Sequence, residues 1–381
     1  MKIETRAVHA GRHPEGGSRD VVPAIHLSTT FHKADDGSLP GGYLYGRPNN
    51  PNREALEHAL ASLEEGAAAL AFSSGSAATL AVFQALAPGD HVIAAEDAYY
   101  GTPILLRTVM ANWGLKHTLV NMQDLGAVEH AITPATRLIW TETPSNPLLN
   151  VTDLRAIVAL AKKCGAIVAC DNTWATPLFQ QPLHLGVDVV MHSVTKYLSG
   201  HSDVTMGALV FRENGGKEKS PLFEKIVSIQ HEGGAVPSPF ECWLTLRGLQ
   251  TFPYRVRAHS ENAHRVAEFL SQQSKSKIEA VHYPGLPSHP SHKIAAAQMS
   301  GFGGMMSIQV KGGQAEAFKL LSGLKLFSHA TSLGSTHSLI EHRASVEGAN
   351  TRSPVNLLRL SIGLEHPDDL IDDLEQALKK L

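Results

Sequence analysis

The sequence predicts an α/β protein: a large unit on a mainly parallel sheet, followed from about residue 240 by a smaller α+β unit. Three observations predict it. Short apolar runs of strand length alternate with amphipathic stretches of helix length as far as Arg212. The run 167–170 is apolar throughout and 187–191 is apolar but for Asp188, the pattern of strands covered on both faces. Past the breaker run GGAVPSP at 233–239 the alternation stops, and a long helical stretch with shorter strands takes over.

Residues 1–50 are rich in Gly, Pro and charge and carry no clean period, so they read as an arm that is either disordered or held against something else, such as another subunit. A helix follows over 52–65, where Ala55, Leu56, Ala59, Leu60 and Leu63 form one stripe. Strand and helix then alternate: strand 68–72, helix 77–86, strand 91–95, helix 103–113, then strands 117–121, 137–141 and 166–170. Between the last two lies a helix over 153–164, with Thr152 as its cap and Gly165 as its stop. Beyond Arg212 comes a Gly/Lys-rich patch, then a helical stretch over 240–272 with a bend expected at Pro253. Strands over 278–282, 305–310, 324–328 and 357–362 follow. The final helix, 367–380, carries acids in its first turns and lysines in its last, as the helix dipole favours. The expected division is an arm over 1–50, a larger domain over 51–240 and a smaller one over 241–381.

With 381 residues, 43% hydrophobic and 18% charged, the chain can bury one large core or two moderate ones. A net charge of -3 offers no basic footprint for nucleic acid or an anionic membrane. Cys164, Cys170 and Cys242 form no CxxC and no paired spacing, which points to a reducing compartment and away from structural zinc. No apolar run has signal-peptide or bilayer-spanning length, so a soluble cytoplasmic protein is expected. His282, His289 and His292 cluster, but no Cys or acid completes a ligand set, so they read as a polar loop and no metal is expected. GxGxxG, Walker A, HExxH and GxSxG motifs are absent.

Chemistry concentrates where the two apolar runs end. The first ends in Asp171, and the second leads into Ser193-Val194-Thr195-Lys196. Ligands of open α/β sheets bind outside the carboxyl ends of the strands. A carboxylate and an amine at neighbouring strand ends suit pyridoxal phosphate (PLP), which needs an amine for its aldehyde and an anion for its ring nitrogen. Phe72-Ser73-Ser74-Gly75-Ser76, between a strand and a helix, offers free N–H groups and a close backbone approach for a phosphate. Each motif alone also reads as an ordinary turn or a surface lysine. Their combination at successive strand ends is what points to a cofactor.

The segment from Ser193 through Lys196 to Val204, SVTKYLSGHSDV, resembles the lysine motif of the Cys/Met-metabolism PLP enzymes, the trans-sulfuration family of cystathionine γ-synthases, cystathionine γ-lyases and methionine γ-lyases. The likeness runs from about Tyr43 to the C-terminus. It implies an aminotransferase-like fold of type I, with a seven-stranded sheet in the PLP-binding domain and a C-terminal substrate domain. It also implies that Lys196 holds the cofactor aldehyde, Asp171 pairs with the ring nitrogen, and Tyr99 stacks on the ring and serves as acid/base partner. Gly75, Ser76, Ser193 and Thr195 match the phosphate contacts. Tyr45 and Arg47, in YGRPNNP, match a segment that reaches the phosphate of a neighbouring subunit, and a planar fork of donors suits that dianion. Arg359 matches the arginine that binds the substrate α-carboxylate; read blind, it faces away from Leu358 and Leu360, into a cleft or into solvent. Asn146 and Ser332 match positions near substrate.

The resemblance implies γ-elimination or γ-replacement on an L-amino acid, of the cystathionine γ-lyase or γ-synthase type, by a homotetramer of dimers with shared active sites. Four departures bear on the substrate: Leu44, Ile104 and Thr331 stand where cystathionine-handling members carry charge, and Gly101 stands where methionine γ-lyases carry cysteine. A less polar side-chain pocket would suit a methionine γ-lyase-like or β-eliminating C–S lyase, the alternative reading. His342-Arg343 replaces the family's His-Pro and adds a cation. A non-enzymatic scaffold is a third reading, opposed by the joint retention of Lys196, Asp171 and Arg359.

Overall fold

The structure, a computed structural model, describes residues 1–12, 20–212, 221–348 and 351–381. Most of the Gly/Lys-rich patch after Arg212 lies outside the described residues. The larger sheet holds β1 (Ala68–Phe72), β2 (His91–Ala95), β3 (Lys116–Val120), β4 (Thr136–Glu142), β5 (Ile167–Asp171), β6 (Val189–Ser193) and β7 (Gly207–Phe211). Their spatial order is β1-β7-β6-β5-β4-β2-β3. The pairings β2 with β3, β2 with β4, β4 with β5 and β5 with β6 are parallel, whereas β7 runs antiparallel to β1 and β6. The sequence reading assigns no strand to 207–211, though all five residues there are buried.

Parallel strands covered on both faces need helices as crossovers. Apolar stripes pack these helices: Leu56, Leu60 and Leu63 on one face of the sheet, Val82 and Phe83 on the other, all almost fully buried. Each such side chain contributes about 1.5–3 kcal/mol by leaving water.

A second sheet holds β8 (Ile278–His282), β9 (Met305–Val310), β10 (Ser328–His329), β11 (Leu339–His342) and β12 (Leu357–Ser361), in the order β10-β11-β12-β9-β8. Its helices, Phe252–Ser271, Gln314–Gly323 and Pro367–Leu378, bury Val266, Leu270, Leu320, Leu370 and Leu374 against it.

Several element boundaries depart from expectation for identifiable reasons. Asp153, not Thr152, caps the helix Leu154–Cys164, because its carboxylate accepts from Ala156 N at 3.0 Å; Gly165 ends it in the left-handed region, as expected. The single helix expected over 103–113 begins at Gly101 and passes through a π-turn at Leu106–Met110. The stretch 240–272 is two helices, Pro239–Leu249 and Phe252–Ser271, because Pro253 fits a first turn and cannot continue an interior one. The strand expected over 324–328 is instead a loop whose Lys325 and Leu326 N–H groups are held by Asp373, and pairing begins only at Ser328. Among the described residues, no helix is long and apolar enough to cross a membrane.

Candidate active site

The carboxyl ends of β1, β4, β5 and β6 meet at one edge of the larger sheet. Register sets Glu142 beside Asp171 and Asp171 beside Met191, and Gly207 at the start of β7 pairs with both Phe72 and Ser193. Facing that edge, β12 brings Arg359 from the smaller sheet. Between them lies a cavity of about 320 Å³, lined by Gly75, Ser76, Tyr99, Asn146, Asp171, Ser193, Thr195, Lys196, Ser332 and Arg359. Ten sequence-predicted residues therefore converge.

Tyr45 and Arg47 do not. Both are substantially exposed, and Arg47 is turned to the His231 carbonyl and, at 3.4 Å, to Glu232.

Lys196 sits in the turn after β6. Its Nζ donates to Ser332 Oγ at 2.6 Å. Burial, with the nearby Arg359 charge adding to it, brings its ammonium pKa down to about 8. Ser332 itself is held at φ +83°, a left-handed conformation that is strained for a residue with a Cβ. The strain turns its hydroxyl to Lys196 while its carbonyl accepts from Arg359 Nη2 at 3.1 Å.

Asp171, 7% exposed, accepts from Thr173 N at 2.9 Å. Burial pushes its pKa up, and the Thr173 hydrogen bonds work in the opposite direction. A cation opposite it would complete its solvation. Glu142, in the next strand, is pushed well above the usual carboxylate range by burial and then by Asp171; its Oε2 accepts from Tyr99 N at 2.7 Å. Tyr99 packs edge-on against Tyr100, with ring centres 4.8 Å apart, and its hydroxyl is pushed up to about 12, chiefly by burial.

Ser74 caps the helix Gly75–Gln84, its hydroxyl accepting from Ala77 N at 3.1 Å. Two close approaches make the cradle. A Cβ at Gly75 would stand 3.1 Å from Ser193 Cβ, and one at Gly207 only 2.3 Å from the Ser74 carbonyl oxygen. The Thr195 hydroxyl braces the strand that carries Gly207, bonding both Met206 O and Met206 N.

Arg359 settles the choice that its alternation leaves open: it faces the cleft. It is 4% exposed, and its Nη1 donates to Asn146 Oδ1 at 3.0 Å. Nη2 pairs with Glu341 at 2.6 Å, and the guanidinium lies over Trp174, 5.8 Å from the ring centre.

The sequence reading misses Glu142, Trp174 and Glu341. Glu142 adjoins the Pro-Ser-Asn-Pro motif and ends a strand, which is a signal it could have used; Trp174 and Glu341 give no comparable sign. His282, His289 and His292 each have other partners, namely Gln309, Ser291 N and the Pro284 carbonyl.

This donor set fits PLP. It has an amine with a lowered pKa, a buried acid short of a cation, an aromatic ring on the adjoining loop, and a helix start with no Cβ at its first residue. The sequence profile of the Cys/Met metabolism PLP-dependent enzymes matches residues 4–379. The chain is 50% identical over 380 residues to the cystathionine gamma-synthase of Mycobacterium tuberculosis, covering 98% of this chain and 96% of that one. It is 43% identical to the cystathionine gamma-lyase of Dictyostelium discoideum over 100% and 98% of the two chains. The apo structure of CalE6, a methionine gamma lyase from Micromonospora echinospora, superposes with a TM-score of 0.91 at 40% identity, covering 99% of each chain. Site and likeness agree along the whole chain, which belongs to the Cys/Met-metabolism family of PLP-dependent enzymes.

Proposed function

We propose that the chain catalyses γ-replacement or γ-elimination on an L-amino acid with a leaving group at Cγ, as cystathionine γ-synthases and γ-lyases do. The observation that carries this reading is the single cavity that joins Lys196, Asp171 and Arg359. PLP, when bound, takes up the electron pair released at the substrate's Cα. Arg359 holds the α-carboxylate, with Asn146 and the Ser332 carbonyl fixing its plane. Lys196 Nζ, neutral in a substantial fraction of molecules near pH 8, removes a proton from Cα, hands it on to the conjugated carbon frame that bound PLP would supply, and, neutral again, can take one from Cβ. The Ser332 hydroxyl fixes the amine's direction between transfers. Asp171 holds the positive ring nitrogen, and Tyr99, protonated throughout the neutral range, delivers a proton toward the departing γ-substituent. Ser76, Ser193 and Thr195 join Gly75 around the phosphate.

Tyr45 and Arg47 complete the phosphate site of a neighbouring subunit, within a homotetramer of dimers. Their exposure, and that of Val21, Val22, Leu27 and Leu44 in the same arm, supports this reading. Three free thiols, with no pairing among them, suit a cytoplasmic setting.

The test is a product assay. With an O-acyl-L-homoserine and cysteine, thioether is expected; with cystathionine alone, 2-oxobutyrate. Methanethiol from methionine as the dominant product would overturn the cystathionine reading in favour of a methionine γ-lyase. That second reading draws on Thr331, Leu105 and Val346, which add no charge to the cavity wall.

A further inference from the structure

We infer that Glu142 is a positioning residue that works as an uncharged acid: its protonated carboxyl anchors the backbone of Tyr99 and leaves Asp171 the single negative charge facing the cofactor ring. The inference rests on the places given above to Asp171 and Tyr99, and it holds whichever γ-substituent departs.

Three carboxyl groups crowd this end of the site: Glu142 and Asp171 at the ends of β4 and β5, and Asp97 in the loop before Tyr99. Pairing of the parallel strands sets Glu142 opposite Asp171, so the two side chains leave the sheet on the same face, and both line the catalytic cavity. Both are buried, so water does little to screen one charge from the other. Two carboxylates so placed repel strongly, and one of the pair keeps its proton.

Hydrogen-bond donors decide which. Asp97 receives Ser145 Oγ at 2.5 Å and Asn150 Nδ2 at 2.9 Å. Asp171 receives two bonds from Thr173, one from its N–H at 2.9 Å and one from its side chain. Glu142 receives one, from Tyr99 N at 2.7 Å, and among the described residues no cation pairs with it. Arg343, a cation that acts on it, is already held by Glu341 at 2.8 Å and Glu347 at 3.1 Å. Donors stabilise the ionised form, so the group with fewest holds the proton. Burial and then the Asp171 charge act on Glu142 in the same direction.

A neutral carboxyl loses nothing as an anchor. Its carbonyl oxygen still accepts from Tyr99 N, tying an exposed loop to the rigid end of β4. Asp97 ties the same loop to Ser145 and Asn150, on the segment whose Asn146 holds Arg359. An ionised Glu142 would make the same bond to Tyr99 but would set a second anion beside Asp171.

Two measurements compare wild type with Glu142→Gln, whose amide keeps the shape of the acid and an acceptor for Tyr99 N. The first is an infrared difference spectrum of the PLP-loaded proteins in heavy water at neutral pH. Wild type is expected to show the C=O stretch of a protonated carboxylic acid that the variant lacks; other buried acids, such as Glu64 and Glu341, are common to both and cancel. The second titrates the lysine-bound cofactor band with pH. Exchanging one uncharged group for another should leave its midpoint in place. Loss of a carboxylate would lower it by about a pH unit, because an anion nearby favours the protonated form. Both use the Gln variant alone and stand if Glu142→Ala does not fold. Where Glu142→Ala folds, Tyr99 N loses its acceptor, and PLP retention should weaken about 10-fold, a loss the Gln variant does not share. No acid stretch in the difference spectrum, or a lowered midpoint in Glu142→Gln, overturns the uncharged state. A Gln variant that fails to fold or sheds PLP as readily as the Ala variant overturns it too, because the neutral isostere then does not replace the acid. An acid stretch with PLP retention unchanged in Glu142→Ala overturns the anchoring of Tyr99. None of these readouts depends on the reaction catalysed, so failure of the γ-replacement reading in the product assay is a separate result.

Discussion

At the residue scale the site is governed by what burial does to charge. Lys196 enters a pocket that already holds Arg359, and both effects disfavour its ammonium form. Its pKa is lowered from the ordinary 10.5 to about 8. Its neutral amine, the form that would capture the cofactor in the proposed role, therefore becomes abundant as pH rises through about 8. The rate at which cofactor-free protein recombines with PLP should climb between about pH 7 and 9 with that midpoint; a midpoint near 10, measured by stopped-flow absorbance, would contradict the burial argument. The same shift acts on stability. Below about 8 the folded state carries the cost of a buried ammonium; between there and 10.5 the unfolded chain binds more protons, so this group's contribution to the cofactor-free protein's stability rises with pH. Lys196→Ala should abolish the lysine-bound cofactor band and slow turnover at least about 10²-fold, the lower range for losing a positioned acid/base. A surviving band of that kind would refute the assignment.

Sequence patterns act at the element scale, and here their reach can be measured. Alternation predicts β1 and β2 with correct ends because each lies between turn residues and is apolar but for His91 at the start of β2. It fails over 324–328, where a Leu-Lys-Leu-Phe run places the Lys325 and Leu326 N–H groups on Asp373 rather than on a neighbouring strand. Partners distant in sequence decide such cases, and a local pattern does not contain them. The same limit applies to the site. Lys196, Asp171 and Gly75 are legible because each stands next to its strand end, within a motif. Glu341 becomes meaningful only when antiparallel pairing sets it opposite Arg359.

The start of β7 gives a sharp test of how elements build the phosphate cradle. Gly207 lies between the ends of β1 and β6, and a Cβ there meets the backbone oxygen of Ser74 at 2.3 Å. Backbone cannot turn aside as a side chain can. Gly207→Ala should cost about 1–3 kcal/mol, the usual range for overpacking, and weaken PLP retention by displacing the helix start. Ser74→Ala should cost about 1 kcal/mol, the value of a lost cap. Thermal melting of the apo-proteins and dialysis of bound PLP measure both; a Gly207→Ala variant that melts and retains PLP like wild type would rule out the cradle described.

At the scale of the whole molecule, one chain brings ten predicted residues to a single cavity and leaves two outside it. Tyr45 and Arg47 sit on an arm whose apolar side chains are open to solvent, and the Arg47 guanidinium lies against His231 and Glu232 of its own chain. Leaving Val21, Leu27 and Leu44 wet is unfavourable for an isolated subunit, and burying them against a second copy reverses that. If the arm completes the neighbour's site, a dimer has two sites, each with Lys196 from one subunit and Arg47 from the other. Arg47→Ala and Lys196→Ala homo-oligomers are then both impaired. Unfolding and refolding them together forms mixed dimers, in which one site carries both lesions and the other carries none. With random pairing, half the dimers are mixed, so activity should recover to about a quarter of wild type. The measurement is turnover after co-refolding, normalised to total subunit. No recovery, with mixed dimers demonstrated by tag pull-down, would mean that Arg47 and Lys196 serve the same site from the same chain, or that Arg47 serves none.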